Sequence, residues 1–143
     1  MFIGTYYHTL ESQNRISVPK SFRPDLSHGS VMTHGLDGCL FIFTADSWSL
    51  LSDKLQSLPL SSKAARDFLR LLTYNAAPVE MDKLGRTKVS ENLVKLAGLK
   101  KEVVFTGALT RVEVWAKDRY HAYVESLEGK EGEIESALGE LGI

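Results

Sequence analysis

Hydrophobic positions come in short bursts separated by turn residues, and the whole arrangement occurs twice. Tyr6 to Leu10 and Ile16 to Val18 are β-favouring runs on either side of Gln13-Asn14, and asparagine tolerates the left-handed conformation that a tight hairpin demands. Ser21 to Leu26 follows as a short helical stretch broken by Pro24, and then Val31 to Thr33 and Cys39 to Phe43 flank the turn Gly35-Leu36-Asp37-Gly38. A closing helix begins near Asp46, with Trp48, Leu51, Leu55 and Leu58 on one face. The second copy places Gly85 where the first has Asn14, and these are the two residue types that most readily take positive φ. Ser90 suits the N-cap and Gly98 the stop of its short helix. Glu102 to Thr106 and Val112 to Trp115 are its later strands, and a helix from near Asp118 carries Tyr120, Tyr123, Val124 and Leu127. Between the copies, Ser61 is placed to cap a connecting helix bearing Ala65, Phe68, Leu69 and Leu72. Past Gly129 the chain is acidic, with Ile134, Leu138 and Leu141 at helical spacing, a pattern that either docks as an amphipathic helix or frays as a terminus.

The duplication is explicit in the residues. Glu11 and Arg15 correspond to Asp82 and Arg86 at an offset of 71 residues, and Phe43 corresponds to Trp115 at 72, so one inserted residue aligns the two copies. The match extends through about fifty residues per half, too long for coincidence. It predicts an α+β fold of two tandem half-domains forming one pseudo-symmetric domain with flanking helices. The expected divisions are residues 1–60 for the first repeat with its closing helix and 61–75 for the connecting helix, then 76–128 for the second repeat and 129–143 for the acidic helix or tail.

Composition narrows the class without naming a function. The 143 residues are 43% hydrophobic and 24% charged, with 17 basic against 18 acidic side chains and a net charge of -1, which is the profile of a soluble globular domain. No apolar run approaches a bilayer span, and the first residues lack the basic flank and apolar stretch of a signal peptide, so a cytoplasmic location is expected. Cys39 is the only cysteine, which rules out an internal disulfide. It lies beside Leu40 and Phe41 as an expected core residue rather than a nucleophile. His8, His28, His34 and His121 are scattered without metal-ligand spacing, and neither a nucleophile elbow nor a phosphate loop is present. We therefore expect no enzymatic activity, metal or cofactor.

The acid-x-x-x-Arg motif, Glu11 with Arg15 and Asp82 with Arg86, remains, centred each time on a predicted hairpin turn. Two readings fit it. A carboxylate on a guanidinium four residues away can lock the hairpin, although an exposed pair is worth only about 0–1 kcal/mol. Alternatively, the carboxylate holds the planar fork in place to meet phosphates or the O6 and N7 edge of guanine. Local charge favours the second. Residues 1–24 carry Arg15, Lys20 and Arg23 against Glu11, a net +2, and residues 82–101 carry Lys83, Arg86, Lys88, Lys95, Lys100 and Lys101 against Asp82 and Glu91, a net +4. Residues 118–143 balance them at -5, with Arg119 and Lys130 against Asp118, Glu125, Glu128, Glu131, Glu133, Glu135 and Glu140. A basic β-ribbon of this kind can enter the major groove of DNA.

Met1-Phe2-x-Gly4, the ESQNRISVP run from Glu11 to Pro19, Gly35 to Leu40, DKLGR at 82–86 and Val112 to Trp115 together resemble the bacterial MraZ family across nearly the whole chain. The resemblance implies two half-domains similar to the AbrB swapped-hairpin fold (double-split β-α-β). It also implies a sequence-specific transcriptional regulator, usually a repressor, that binds direct repeats upstream of the division and cell wall gene cluster containing its own gene. Its partners would be double-stranded DNA and copies of itself in a closed ring of about eight or more subunits, cytoplasmic and nucleoid-associated. Arg15 falls on the first family arginine, expected to contact DNA, and Arg86 on the second, with a role in DNA contact, fold or assembly. Lys83, Lys20 and Arg23 are assigned to phosphates, Gln13 and Asn14 to the DNA-facing turn, and Glu11 and Asp82 to orienting the arginines. The family usually has Asp, Lys and Gly where this chain has Glu11, Gln13 and Asn14, and Gln13 removes an expected phosphate contact. A ring-forming protein-interaction scaffold that does not read DNA is the rival reading, favoured by the acidic tail and near-neutral total charge.

Overall fold

A computed structural model describes all residues, Met1 to Ile143. The first repeat runs β1 (Thr5–Glu11), a tight turn, β2 (Arg15–Ser17), the short helix α1 (Arg23–Leu26), β3 (Val31–His34), β4 (Leu40–Phe43) and α2 (Ala45–Gln56). Helix α3 (Lys63–Tyr74) connects it to β5 (Ala77–Pro78), β6 (Arg86–Lys88), α4 (Glu91–Ala97), β7 (Glu102–Gly107), β8 (Arg111–Ala116) and α5 (Lys117–Leu127). A last helix, α6 (Glu131–Glu140), follows.

The turn and cap chemistry accounts for most boundaries. Asn14 and Gly85 both adopt left-handed backbone, at φ 56° and 78°. Ser90 accepts the Leu93 N–H as N-cap of α4, and Gly98 ends that helix at φ 61°. Thr44 caps α2 by accepting the Ser47 N–H. The cap of α3 is Ser62, whose hydroxyl accepts the Ala65 N–H, one residue beyond the expected Ser61. The acidic tail forms a helix, yet none of its residues is buried.

All eight strands join one curled sheet in the order β5-β3-β4-β8-β7-β1-β2-β6. The order contains an exchange. β1 pairs antiparallel with β7 of the second repeat, and β5 pairs with β3 of the first, so each repeat's leading strand completes the other's β-hairpin. Two ladders then join the repeats about a pseudo-twofold axis. β4 pairs with β8 through Phe41 and Glu113, and β2 pairs with β6 through Ile16 and Thr87. These are the equivalent positions of the two copies at offsets of 72 and 71 residues, so the axis passes through both pairs.

The core lies under this exchange and draws on both repeats. Ile16, Val18, Leu26, Leu40 and Ile42 from the first pack with Val89, Leu93, Val103, Phe105, Val112 and Val114 from the second. Each such side chain contributes roughly 1.5–3 kcal/mol on burial, so neither repeat has a complete core without the other. A smaller cluster of Cys39, Phe41, Phe43, Val104 and Trp115 lies against Trp48, Leu51 and Tyr120. Burial pushes the Cys39 thiol up to about 12, with Glu113 adding to the rise, so it stays protonated and unreactive at neutral pH. The closing helices are less covered than their apolar faces suggest. Only Leu55 of α2 is buried, and Tyr123, Val124 and Leu127 of α5 remain 37–39% exposed, because the small second cluster offers them little surface to pack on.

Candidate nucleic-acid interface

The exchange brings the two motif-bearing hairpins together on one short ribbon. In the β2–β6 ladder, Arg15 lies opposite Lys88, Ile16 opposite Thr87 and Ser17 opposite Arg86. Side chains alternate across a strand. Ile16 and Thr87 point into the core at 0% and 2% exposure, which sends Arg15, Ser17, Arg86 and Lys88 to the outer face. Two backbone bonds fix the register: Val18 N–H donates to Gly85 O at 2.9 Å, and Val89 N–H to Asn14 O at 2.8 Å. Each repeat's turn is thus tied to the other repeat's strand.

The two turns are not chemically equivalent. In the second, one Asp82 oxygen accepts the backbone N–H groups of Leu84 and Arg86, each at 2.9 Å. The other accepts Arg86 Nε at 2.8 Å. Arg86 N–H, followed by the Arg86 side chain and Leu84 N–H, holds the Asp82 carboxyl below the usual aspartate range. That stabilisation is fully present above the ordinary aspartate pKa and is lost as the pH falls through the lowered value. Arg86 Nη1 also lies 3.7 Å from Glu11 Oε2. Arg86 is therefore held between two carboxylates, with its side chain 27% exposed.

The first turn is built otherwise. Gln13 and Asn14 both have positive φ, 61° and 56°. Arg15 Nη2 donates to Gln13 Oε1 at 2.6 Å and makes no contact with an acid, while Asn14 Nδ2 donates to Glu91 Oε1 at 2.9 Å. Glu11, expected to orient Arg15, lies directly across the β1–β2 ladder from it, but its carboxylate makes its salt bridge with Arg86. Asp82 is short enough to fold back on its own turn. The longer Glu11 makes no such turn bonds, and it reaches diagonally over β2 toward the other repeat, where Ser17 leaves room.

The remaining candidates separate in the same way. Arg23 is half-buried, donates its Nε to Val18 O at 2.8 Å and lays its guanidinium on Gly85, which ties it to the second turn. Lys83 at the tip of the second turn and Lys20 beyond β2 are exposed, and neither is in a salt bridge. Lys88 stands beside Arg15 only because β2 pairs with β6, a long-range contact that no local pattern signals. The strand alternation Arg86-Thr87-Lys88 was the one local signal that it shares a face with Arg86. No three His, Cys, Asp or Glu side chains converge as a metal site would require, and no helix is long and apolar enough to cross a membrane.

If Arg86 serves the fold, Arg86→Ala should lower stability by about 1–2 kcal/mol, the usual scale for a charge-assisted bond at a partly exposed site. It should leave DNA retention by the folded protein intact. Chemical denaturation alongside a gel shift checks both, and full stability with lost retention would place Arg86 on DNA instead.

Two repeats with exchanged leading strands, joined by a ribbon that turns a row of cations outward, define a tandem swapped-hairpin α+β protein. The chain belongs to the MraZ family: the model described as "MraZ protein, putative antitoxin-like" matches residues 1–71 and again 72–137. It is 47% identical over 126 residues to "Transcriptional regulator MraZ" of Clostridium beijerinckii, covering 88% of this chain and 89% of that protein. It is 41% identical over 143 residues to the regulator of the same name in Alkaliphilus metalliredigens and 43% to that of Halothermothrix orenii, covering both chains completely in each case.

Proposed function

We propose that this chain is a sequence-specific DNA-binding transcriptional regulator. It acts as a repressor at direct repeats upstream of the division and cell wall gene cluster that includes its own gene. The observation that carries this reading is the contrast between the two motif arginines: Arg86 is bound by Asp82 and Glu11, whereas Arg15, on the same outward face, is steadied only by a neutral amide. A guanidinium so placed keeps its full charge and most of its donors for a guanine edge or a phosphate. Lys83 and Lys20 supply phosphate contacts near the second turn, and Gln13 and Asn14 shape the first. The relatives' shared name, transcriptional regulator, supports the same conclusion.

In this reading the protein works as a closed ring of copies, cytoplasmic and associated with the nucleoid. Exposed apolar side chains on four helices support assembly: Leu50 and Leu58 on or next to α2, Leu71 and Tyr74 on α3, Tyr123 and Leu127 on α5, and Ile134 and Leu138 on α6. A ring would present several reading faces at once, so that weak individual contacts bind together where repeats match their spacing.

The test is a gel-shift titration of the purified protein on its own upstream region against a scrambled duplex, at several salt concentrations. Selective binding that weakens steeply with salt is expected. A preparation that assembles but shifts neither duplex at low salt would favour the scaffold reading.

A further inference from the structure

We propose that Lys88 is a phosphate-contacting residue of the DNA-reading head, so that each head is built from both repeats, with Arg15 from the first and Lys88 from the second. The inference rests on the proposed DNA-binding function and deepens it. Arg15 and Lys88 are direct cross-strand partners in the β2–β6 ladder, and both point away from the buried Ile16 and Thr87. Directly opposed side chains in such a ladder have Cβ atoms about 4.5–5.5 Å apart, and like charges there are destabilising. The acid across from Arg15 on its other side is Glu11, its partner in the β1–β2 ladder, and that carboxylate is in a salt bridge with Arg86 and not with Arg15. Glu11 faces Arg86 at 3.7 Å, Glu91 accepts the Asn14 amide at 2.9 Å, and Lys88 is exposed without a salt bridge. An anionic ligand would relieve the repulsion, and a phosphate beside a base edge suits the division of labour between a lysine point charge and an arginine fork.

The pseudo-twofold axis sharpens the point. The counterpart of Arg15 is Arg86, bonded to Asp82 at 2.8 Å, and the counterpart of Lys88 is the neutral Ser17. The axis that relates the backbones therefore does not relate the chemistry. One side of the ribbon carries two directly opposed cations, neither in a salt bridge, and the other carries one arginine bonded to Asp82. Each chain has a single head of this kind and reads its site with a direction, as copies on direct repeats must.

The experiment compares wild-type protein with K88Q, K88R and R15A, each full length. They are titrated against a duplex of the chain's own upstream region and a scrambled duplex over a range of salt. K88Q is expected to weaken both duplexes by a similar factor, about fivefold at 0.15 M salt. It should also reduce the slope of log affinity against log salt by about 0.9 for each engaged subunit. K88R should restore both. Unchanged affinity and slope in K88Q, or altered base preference with an unchanged slope, would overturn the assignment of Lys88 while leaving DNA binding in place. Selective binding that survives in R15A would instead overturn the reading head itself, and wild-type protein that binds neither duplex would overturn the function and the inference together.

Discussion

Arg15→Ala is expected to abolish selective retention of the upstream DNA while leaving the fold and assembly unchanged. A bidentate arginine on guanine supplies about 1–3 kcal/mol of discrimination, or roughly a 5- to 150-fold preference per head. The loss is compounded when several heads of one assembly bind together. Stability should hardly change, because the only side-chain bond of Arg15 is the 2.6 Å contact to Gln13 at the surface. A gel shift paired with thermal unfolding and sedimentation separates the possibilities. Retained selectivity would remove Arg15 from the interface, and a large fall in the unfolding midpoint would show that it belongs to the fold.

Gly85→Ala should have the largest effect on stability. Gly85 sits at φ 78°, which costs an alanine about 1–2 kcal/mol. A Cβ there would also run into the Arg23 guanidinium, which rests on the glycine while its Nε bonds Val18 O. Displacing that charged donor adds a further ~1.5–3 kcal/mol, so a total loss of roughly 2.5–5 kcal/mol is expected in a denaturant titration. Gly85→Asn tells the two causes apart. Asparagine relieves the backbone cost, as Asn14 does in the first turn, but still collides with Arg23. Pairing it with Arg23→Ala should recover part of the loss. Full stability in Gly85→Ala alone would refute the packing of Arg23 on the turn.

The two turns occupy equivalent places in the repeat and are held by different side chains. Asn14 carries a side chain at its left-handed position and uses it to reach Glu91 at 2.9 Å. Gly85 cannot carry one, because Arg23 occupies the equivalent space. Asp82 turns inward to bind its own backbone, and Glu11 crosses to the other repeat. Arg86 is thus in salt bridges with both motif carboxylates, and Arg15 is in none.

The sequence alone determined the duplication, the turn positions and most element boundaries. Offsets of 71 and 72 residues, left-handed residues at 14 and 85 and the cap and stop at Ser90 and Gly98 are local facts, set by backbone sterics and capping within a few residues. It also marked Arg15 and Arg86 as the residues to watch. Only the tertiary structure decided which strand joins which hairpin, because β1 pairing with β7 and β5 with β3 is a choice between long-range partners of similar pattern. The β2–β6 ladder, equally long-range, sets Lys88 across from Arg15 and brings Glu11 near Arg86. An acid four residues from an arginine looks the same in both copies when read along the chain. The charge each arginine finally faces depends on side chains brought in from the other repeat.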